Sequence, residues 1–276
     1  SASEDQLFAV SLANASLNIA DIVLIQGNLI FMDQGARQVA AGSDLILFVG
    51  EGEPLLDDDS INPAARGFLI NNATVGLVKL DGAAGTQYAL EATGTVQVIG
   101  INDVSFTGQI TVRVNTFTEA ISETIAGASA GNETVEVNFS AAEIATAAEA
   151  FFEIGATGVA IEIAGQRLSG NLGVGRIRVD RNGTPADSSD DETALLITLD
   201  SVEADIADGL ITLGSGEGTI LVLSDGVAAS FGGTIAVTVP NVAVSGDVSF
   251  QINTIGQAVN LEVDFQGQLR EIKTRA

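Results

Sequence analysis

The amino-acid sequence predicts an all-β protein: a tandem-repeat antiparallel β architecture with one short helix near 140–152. Three observations lead there. Apolar and polar residues alternate with period two in many short runs. Glycine is frequent (31 of 276 residues) and proline rare (4), as tight turns between many short strands require. Phrases from the first half of the chain return, in order, in the second.

The strands are read from that alternation. Ile110, Val112 and Val114 alternate with Gln109, Thr111, Arg113 and Asn115, while Val248, Phe250 and Ile252 alternate with Ser249, Gln251 and Asn253. Val259, Leu261, Val263 and Phe265 do the same, as do Ala13 to Ile19, Val159 to Ile163 and Ile235 to Val239. Each pattern describes a strand with one face in a core and one in water, the antiparallel habit. Phe106, Ile110, Val112 and Val114, with Val244, Val248, Phe250 and Ile252, are therefore expected to face the core. Asp81-Gly82, Asn182-Gly183 and Asp225-Gly226 mark turns.

The helix rests on a different signal. Ser140-Ala141-Ala142-Glu143 has the capping-box pattern, and Ile144, Ala147, Ala148, Phe151 and Phe152 follow at helical spacing. Such a helix would join the two halves and pack over an open end of the β structure.

Internal likeness sets the organisation. Gln26-Gly27-Asn28-Leu29 is echoed by Ser169-Gly170-Asn171-Leu172, and Gly76–Leu80 by Thr219–Leu223, both at an offset of 143. Val104–Gly108 returns as Val242–Gly246 and Asn115-Thr116 as Asn253-Thr254 at 138, then Val135–Phe139 as Leu261–Phe265 at 126. Two copies are predicted, 1–150 and 151–276, with an insertion around 117–131 forming a loop. The chain begins and ends near the same point of the unit, as a slice through a longer array would; a free-standing duplicated protein is the alternative. The strands could form two compact sandwiches or barrels in tandem, or one elongated, solenoid-like meander. A membrane barrel would need aromatic girdles, and the chain has no Trp and a single Tyr, Tyr88.

Composition narrows the function. Thirty-six acidic residues face 11 basic ones, giving a formal charge of −25, yet mean hydropathy is +0.36. Disorder goes with low hydropathy, so an acidic disordered tail is excluded. Nucleic-acid binding needs clustered Lys and Arg, and only Lys79 and Lys273 are lysines. With no Cys and no His, disulfides, thiolate sites and a Ser-His-Asp triad are excluded. Ser1 to Phe8 lacks the basic and apolar regions of a signal peptide. The longest apolar runs, Ile22 to Ile25 and Leu45 to Val49, are strand-sized, so no membrane span is expected.

Several phrases carry a resemblance when taken together: Leu168-Ser169-Gly170-Asn171-Leu172, Gly76–Leu80 leading to Tyr88-Ala89-Leu90, and Phe106 to Thr116. They resemble repeat units of very large, repetitive secreted or surface proteins of environmental bacteria. Asn115-Thr116 departs from that pattern, since Phe117 follows and only the second copy keeps a nearby glycine, Gly256. The resemblance implies a structural or adhesive role at the cell surface or outside the cell, with no enzyme and no assigned binding residue.

Acidic clusters are the candidate sites. Asp57, Asp58 and Asp59 lie close to Glu51 and Glu53, and Asp187, Asp190 and Asp191 lie in what reads as the matching region of the second copy. Calcium takes six to eight oxygen ligands, which such loops can supply. The EF-hand and β-roll patterns are missing, so a solvated acidic loop is the competing reading. No cofactor is required on this reading, calcium being the one candidate. The expected role is a non-enzymatic structural module (spacer, filament subunit or surface layer) whose partners are neighbouring repeats or copies of the same protein. The alternative is an adhesin-type module binding a glycan or protein ligand.

Overall fold

A computed structural model describes residues 8–19, 23–56, 58, 60–82, 85–101, 104–126, 134–146, 149–163, 166–180, 191–207, 209–239, 241–265 and 268–275. Among these residues the chain is all-β, with no helix. It divides into two compact units, Ser1–Phe152 and Glu153–Ala276.

The first unit is a six-stranded antiparallel meander followed by a hairpin. The meander strands are β1 (Phe8–Ile19), β2 (Val23–Gln34), β3 (Arg37–Glu51), β4 (Arg66–Gly82), β5 (Gly85–Ile99) and β6 (Val104–Asn115). Each pairs with the next. The hairpin is β7 (Ile121–Ala126) with β8 (Thr134–Phe139). Strict alternation in β8 aims Val135, Val137 and Phe139 inward and leaves Thr134, Glu136 and Asn138 outside. The inward row packs on Val39, Val78 and Ala89 of the sheet. Gly76 permits the approach: a Cβ there would lie 2.5 Å from Val137 Cγ2. A second cluster joins Phe48, Ala65, Leu69 and Ile99, with Ile46 and Leu55 packed against it.

The second unit has the same order of elements. Its meander is β9 (Phe151–Ile163), β10 (Gln166–Val179), β11 (Glu192–Ile206), β12 (Ile211–Leu223), β13 (Gly226–Val239) and β14 (Val242–Asn253). The hairpin is β15 (Val259–Phe265) with β16 (Gln268–Thr274). Phe265 and Ile272 pack on Leu196, Leu221 and Ala228. In both units a charged pair ties hairpin to sheet, with polarity exchanged. Arg37 on the sheet meets Glu123 on the first hairpin, and Asp200 on the sheet meets Arg270 on the second.

A row of bulges crosses the first four strands of each meander. Pairing slips by a residue near Asn14, Gly27, Asp44 and Asn72, and again near Gly158, Gly170, Ser201 and Ser215. Asn14, Asp44 and Asn72 have φ of 51°, 52° and 50°, and Ser201 and Ser215 have 50°. The side chain of Asn28 accepts the Asn14 N–H at 3.1 Å, and Asn171 accepts the Gly158 N–H at 2.8 Å. The extra residue shifts alternation by one and keeps the same face inward. In β4, buried Leu69 before the bulge at Asn72 is thus followed by buried Gly76 and Val78 beyond it.

Several expectations are corrected. The helix near 140–152 is absent: among the described residues of that stretch there are turns, and then the start of β9. The capping contact does form, because the Ser140 N–H donates to the Glu143 carboxylate at 2.8 Å. But Ala145 N–H donates to the Phe117 carbonyl at 2.7 Å instead of continuing a helical ladder. Phe151 packs edge-on against Phe139, with ring centroids 5.9 Å apart. The expected loop around 117–131 contains strand β7, and 127–133 lie outside the described residues. The likeness at offset 126 joins unlike positions. Val135–Phe139 lies in β8, which packs over β4 and β5, whereas the strand over β12 and β13 is β16, not the β15 of Leu261–Phe265.

Candidate functional site

Of the acidic residues singled out in the sequence, the two that are described do not share a place in the fold. Asp58 lies between β3 and β4, and Asp191 immediately precedes β11, after β10. These are the third connection of one unit and the second of the other, so they belong to opposite ends of a meander. Asp57, Asp59, Asp187 and Asp190 lie outside the described residues. The Asp58 carboxylate accepts the Ser60 hydroxyl and, at 3.1 Å, the Ser60 N–H, which together hold its pKa below the ordinary value. Asp191 meets Arg178 at 3.7 Å. Among the described residues no three acidic groups converge as a metal site needs.

Besides Asn28 and Asn171 at the bulges, Asn-Thr pairs recur at equivalent positions at the ends of the sixth strands. Thr116 N–H donates to the Tyr88 carbonyl at 2.8 Å, and Tyr88 N–H donates to Thr116 Oγ1 at 2.6 Å. Thr254 and Val227 repeat both bonds at 2.9 Å. Asn115, fully buried, accepts the Phe117 N–H at 2.9 Å and donates to the Glu143 carbonyl at 2.8 Å. Asn253 accepts the Ile255 N–H at 2.9 Å and donates to the Gln257 and Arg275 carbonyls at 2.7 Å each. In both units the pair clamps the turn that leads from meander to hairpin.

Beside the first clamp, Glu143 accepts from the Arg113 guanidinium, which also donates to the Asn138 carbonyl at 2.7 Å and lies 4.7 Å from the Phe139 ring centroid. Burial pushes the Glu143 carboxyl up, but the hydrogen bonds from Arg113 and Ser140 outweigh it and hold the pKa below its usual range.

A groove of about 490 Å³ opens in the second unit between strands β12–β14 and the hairpin. Its apolar wall is Phe231 stacked on Phe250, with centroids 5.2 Å apart and planes at 28°. Gly216 and Gly218 make room for the ring, since a Cβ at either would come within 3 Å of Phe231. Leu269, Arg270 and Glu217 also line it. Arg270 donates to Asp200 through Nη1 at 2.8 Å and again through Nη2, which raises its pKa further. Ring faces beside a guanidinium and a carboxylate can hold a flat apolar ligand edged with hydroxyls.

The first unit lacks that wall. Asn115 pairs with Ala89 as Asn253 pairs with Ala228, and three residues inward Ala92–Val112 stands where Phe231–Phe250 stands. Sequence reasoning missed the aromatic pair, although the Val239–Val242 pairing fixes the register that sets the two rings opposite each other. It also placed Val244, Phe250 and Ile252 in the core, and all three are exposed; Phe106, Ile110, Val112, Val114 and Val248 are half-buried. Alternation identifies a face and cannot say whether anything covers it. Comparison with protein-family models, curated proteins and solved structures gives no match.

Proposed function

We propose that this chain is a non-enzymatic structural module made of two copies of one β unit, serving as spacer, filament subunit or surface layer of a large extracellular bacterial protein. The observation that carries the reading is the recurrence of the Asn-Thr clamp at Thr116–Tyr88 and Thr254–Val227. The shared element order, a six-stranded meander and then a hairpin, supports it. So does the use of recurring polar side chains to hold turns and bulges. The extracellular setting rests on the resemblance of the repeated phrases. Calcium at the acidic connections, Asp58 and Asp191 included, belongs to the same reading.

Pulling the full chain between its ends tests it. A load-bearing pair of modules unfolds in two events, releasing about 500–550 Å for 152 residues and about 410–450 Å for 124. One event releasing the whole contour, or extension without resistance, overturns the proposal.

A second reading is favoured by one observation, the Phe231–Phe250 groove on one unit alone. On this reading the chain is an adhesin-type module that grips a glycan or protein there. Binding on a glycan array that Phe250→Ala abolishes, with the fold intact, would support it; binding that survives Phe250→Ala would not.

A further inference from the structure

We propose that strand β14 of one chain pairs edge to edge with strand β1 of a second copy, extending the antiparallel sheet from molecule to molecule. The inference rests on the structural reading above and names its partner. Both strands are 12 residues long. Among the described residues β1 pairs with β2 alone and β14 with β13 alone, so each presents a row of unpaired backbone N–H and C=O groups.

Edge strands are ordinarily blunted by charge, by proline or by a bulge that twists the edge away. The bulge at Asn14 interrupts β1, but charge and proline are hardly used on either edge. β1 carries no charged residue, β14 carries only Asp247, and neither contains proline. In a chain with 36 acidic residues these edges are where two copies, each at −25, can approach without setting carboxylate against carboxylate. A basic partner would find only Asp247. The charge pattern thus selects another copy of this acidic chain.

The side chains agree. Val244 is 61% exposed, and Phe250 and Ile252 are 50% exposed, all on one face of β14. Phe8 and Leu12 of β1 are exposed as well. At the sixth strand of the first unit the equivalent residues Phe106, Val112 and Val114 are half-buried. Pairing along 12 residues, less what the Asn14 bulge takes out of register, makes about 10 hydrogen bonds. That lies within the roughly 10 ± 5 of an ordinary protein interface. The contact is heterologous, since β14 meets β1 and leaves one edge of each kind free, so association does not stop at the dimer unless a ring closes.

Sedimentation velocity over a concentration series tests this, with Leu12→Lys and Val244→Lys as variants. The unmodified chain is expected to form species larger than a dimer, and each variant alone to be monomeric. An equimolar mixture of the two is expected to form a one-to-one dimer and nothing larger, because each retains one intact edge. Circular dichroism checks that the variants fold. If one does not, hydrogen exchange in the unmodified chain decides: the amides of β1 and β14 must slow as concentration rises, and unchanged exchange overturns the proposal. A chain that stays monomeric at millimolar concentration overturns it. So does association that survives in Leu12→Lys alone, which would mean β14 pairs with itself. Association that neither lysine weakens would also overturn it and leave the structural reading standing; a single unfolding event under force would sink that reading without altering the sedimentation result.

Discussion

Thr116 and Tyr88 hold one another by backbone and side chain at once: Thr116 Oγ1 accepts the Tyr88 N–H at 2.6 Å and donates to the Tyr88 carbonyl at 3.0 Å. The bonds fix the direction in which the chain leaves the meander, and buried Asn115 fixes the next turn through Phe117 and Glu143. Asn115→Ala strands those two backbone groups and is expected to cost roughly 1–3 kcal/mol. Urea unfolding checks it: the midpoint should fall with the slope unchanged, and an unmoved midpoint would show that the turn stands without the side chain.

Gly76 and Val137 make the second prediction. Gly76→Ala forces the β8 hairpin off β4, because its Cβ would meet Val137 Cγ2 at 2.5 Å and Val135 Cγ1 at 3.0 Å. The expected loss is about 1–3 kcal/mol, the usual range for overpacking. Trimming the partner with Val137→Ala opens a cavity by itself, yet in the double variant the two losses should sum to less than their parts. Strictly additive losses in a double-mutant cycle would refute the contact.

Glu143 gives a pH dependence with a definite sign. Its folded pKa is lowered below the ordinary 4.5, so its contribution is complete above that value and is lost as pH falls through the depressed one. Acidification also relieves the repulsion of a −25 chain, which acts in the opposite direction. The quantity to follow is therefore the stability difference between the chain and Glu143→Gln. It should be about 1–2 kcal/mol at neutral pH and shrink below about pH 4.5. A difference that stays level through that window would mean the ionised carboxylate is not what Arg113 holds.

Cations supply the fourth prediction. Thermal unfolding is measured in EDTA, in calcium, and in sodium chloride of equal ionic strength. Both salts should raise Tm by screening, and calcium should raise it further by binding the native state, a gain of roughly 2.7 kcal/mol at one hundred times Kd. Asp58→Asn combined with Asp191→Asn should remove the excess. Equal gains from the two salts would leave screening alone.

The sequence displays most strands of this fold and little of how they are finished. Val259 to Phe265 and Val104 to Asn115 alternate cleanly, and both are strands. The Ser140–Glu143 signal is equally local, and its contact forms, yet tertiary pairing at Ala145 and the Phe139–Phe151 contact divert the chain from a helix. The bulge row is hidden because its left-handed positions are filled by Asn14, Asp44, Asn72, Ser201 and Ser215, which share no motif although their geometry is one. The candidate groove depends on two phenylalanines nineteen positions apart, and only strand register brings them together. Asp58 and Asp191 were visible as composition; that one falls in the third connection of its meander and the other in the second follows from the order of strands, which pairing alone reveals.

The order of elements along the chain has a consequence for synthesis. Each hairpin is translated after the sheet it covers, so Val39, Val78 and Ala89 of the first meander emerge before Val135, Val137 and Phe139 exist to meet them. Between the end of β6 at Asn115 and the end of β8 at Phe139 the ribosome needs about 1–5 s at roughly 5–20 residues per second. For that interval the nascent meander is a sheet with a bare apolar face, and crowded ribosomes on one message hold several such faces side by side. Codon choice across 116–139 thus sets how long each chain stays exposed to its neighbours before it closes.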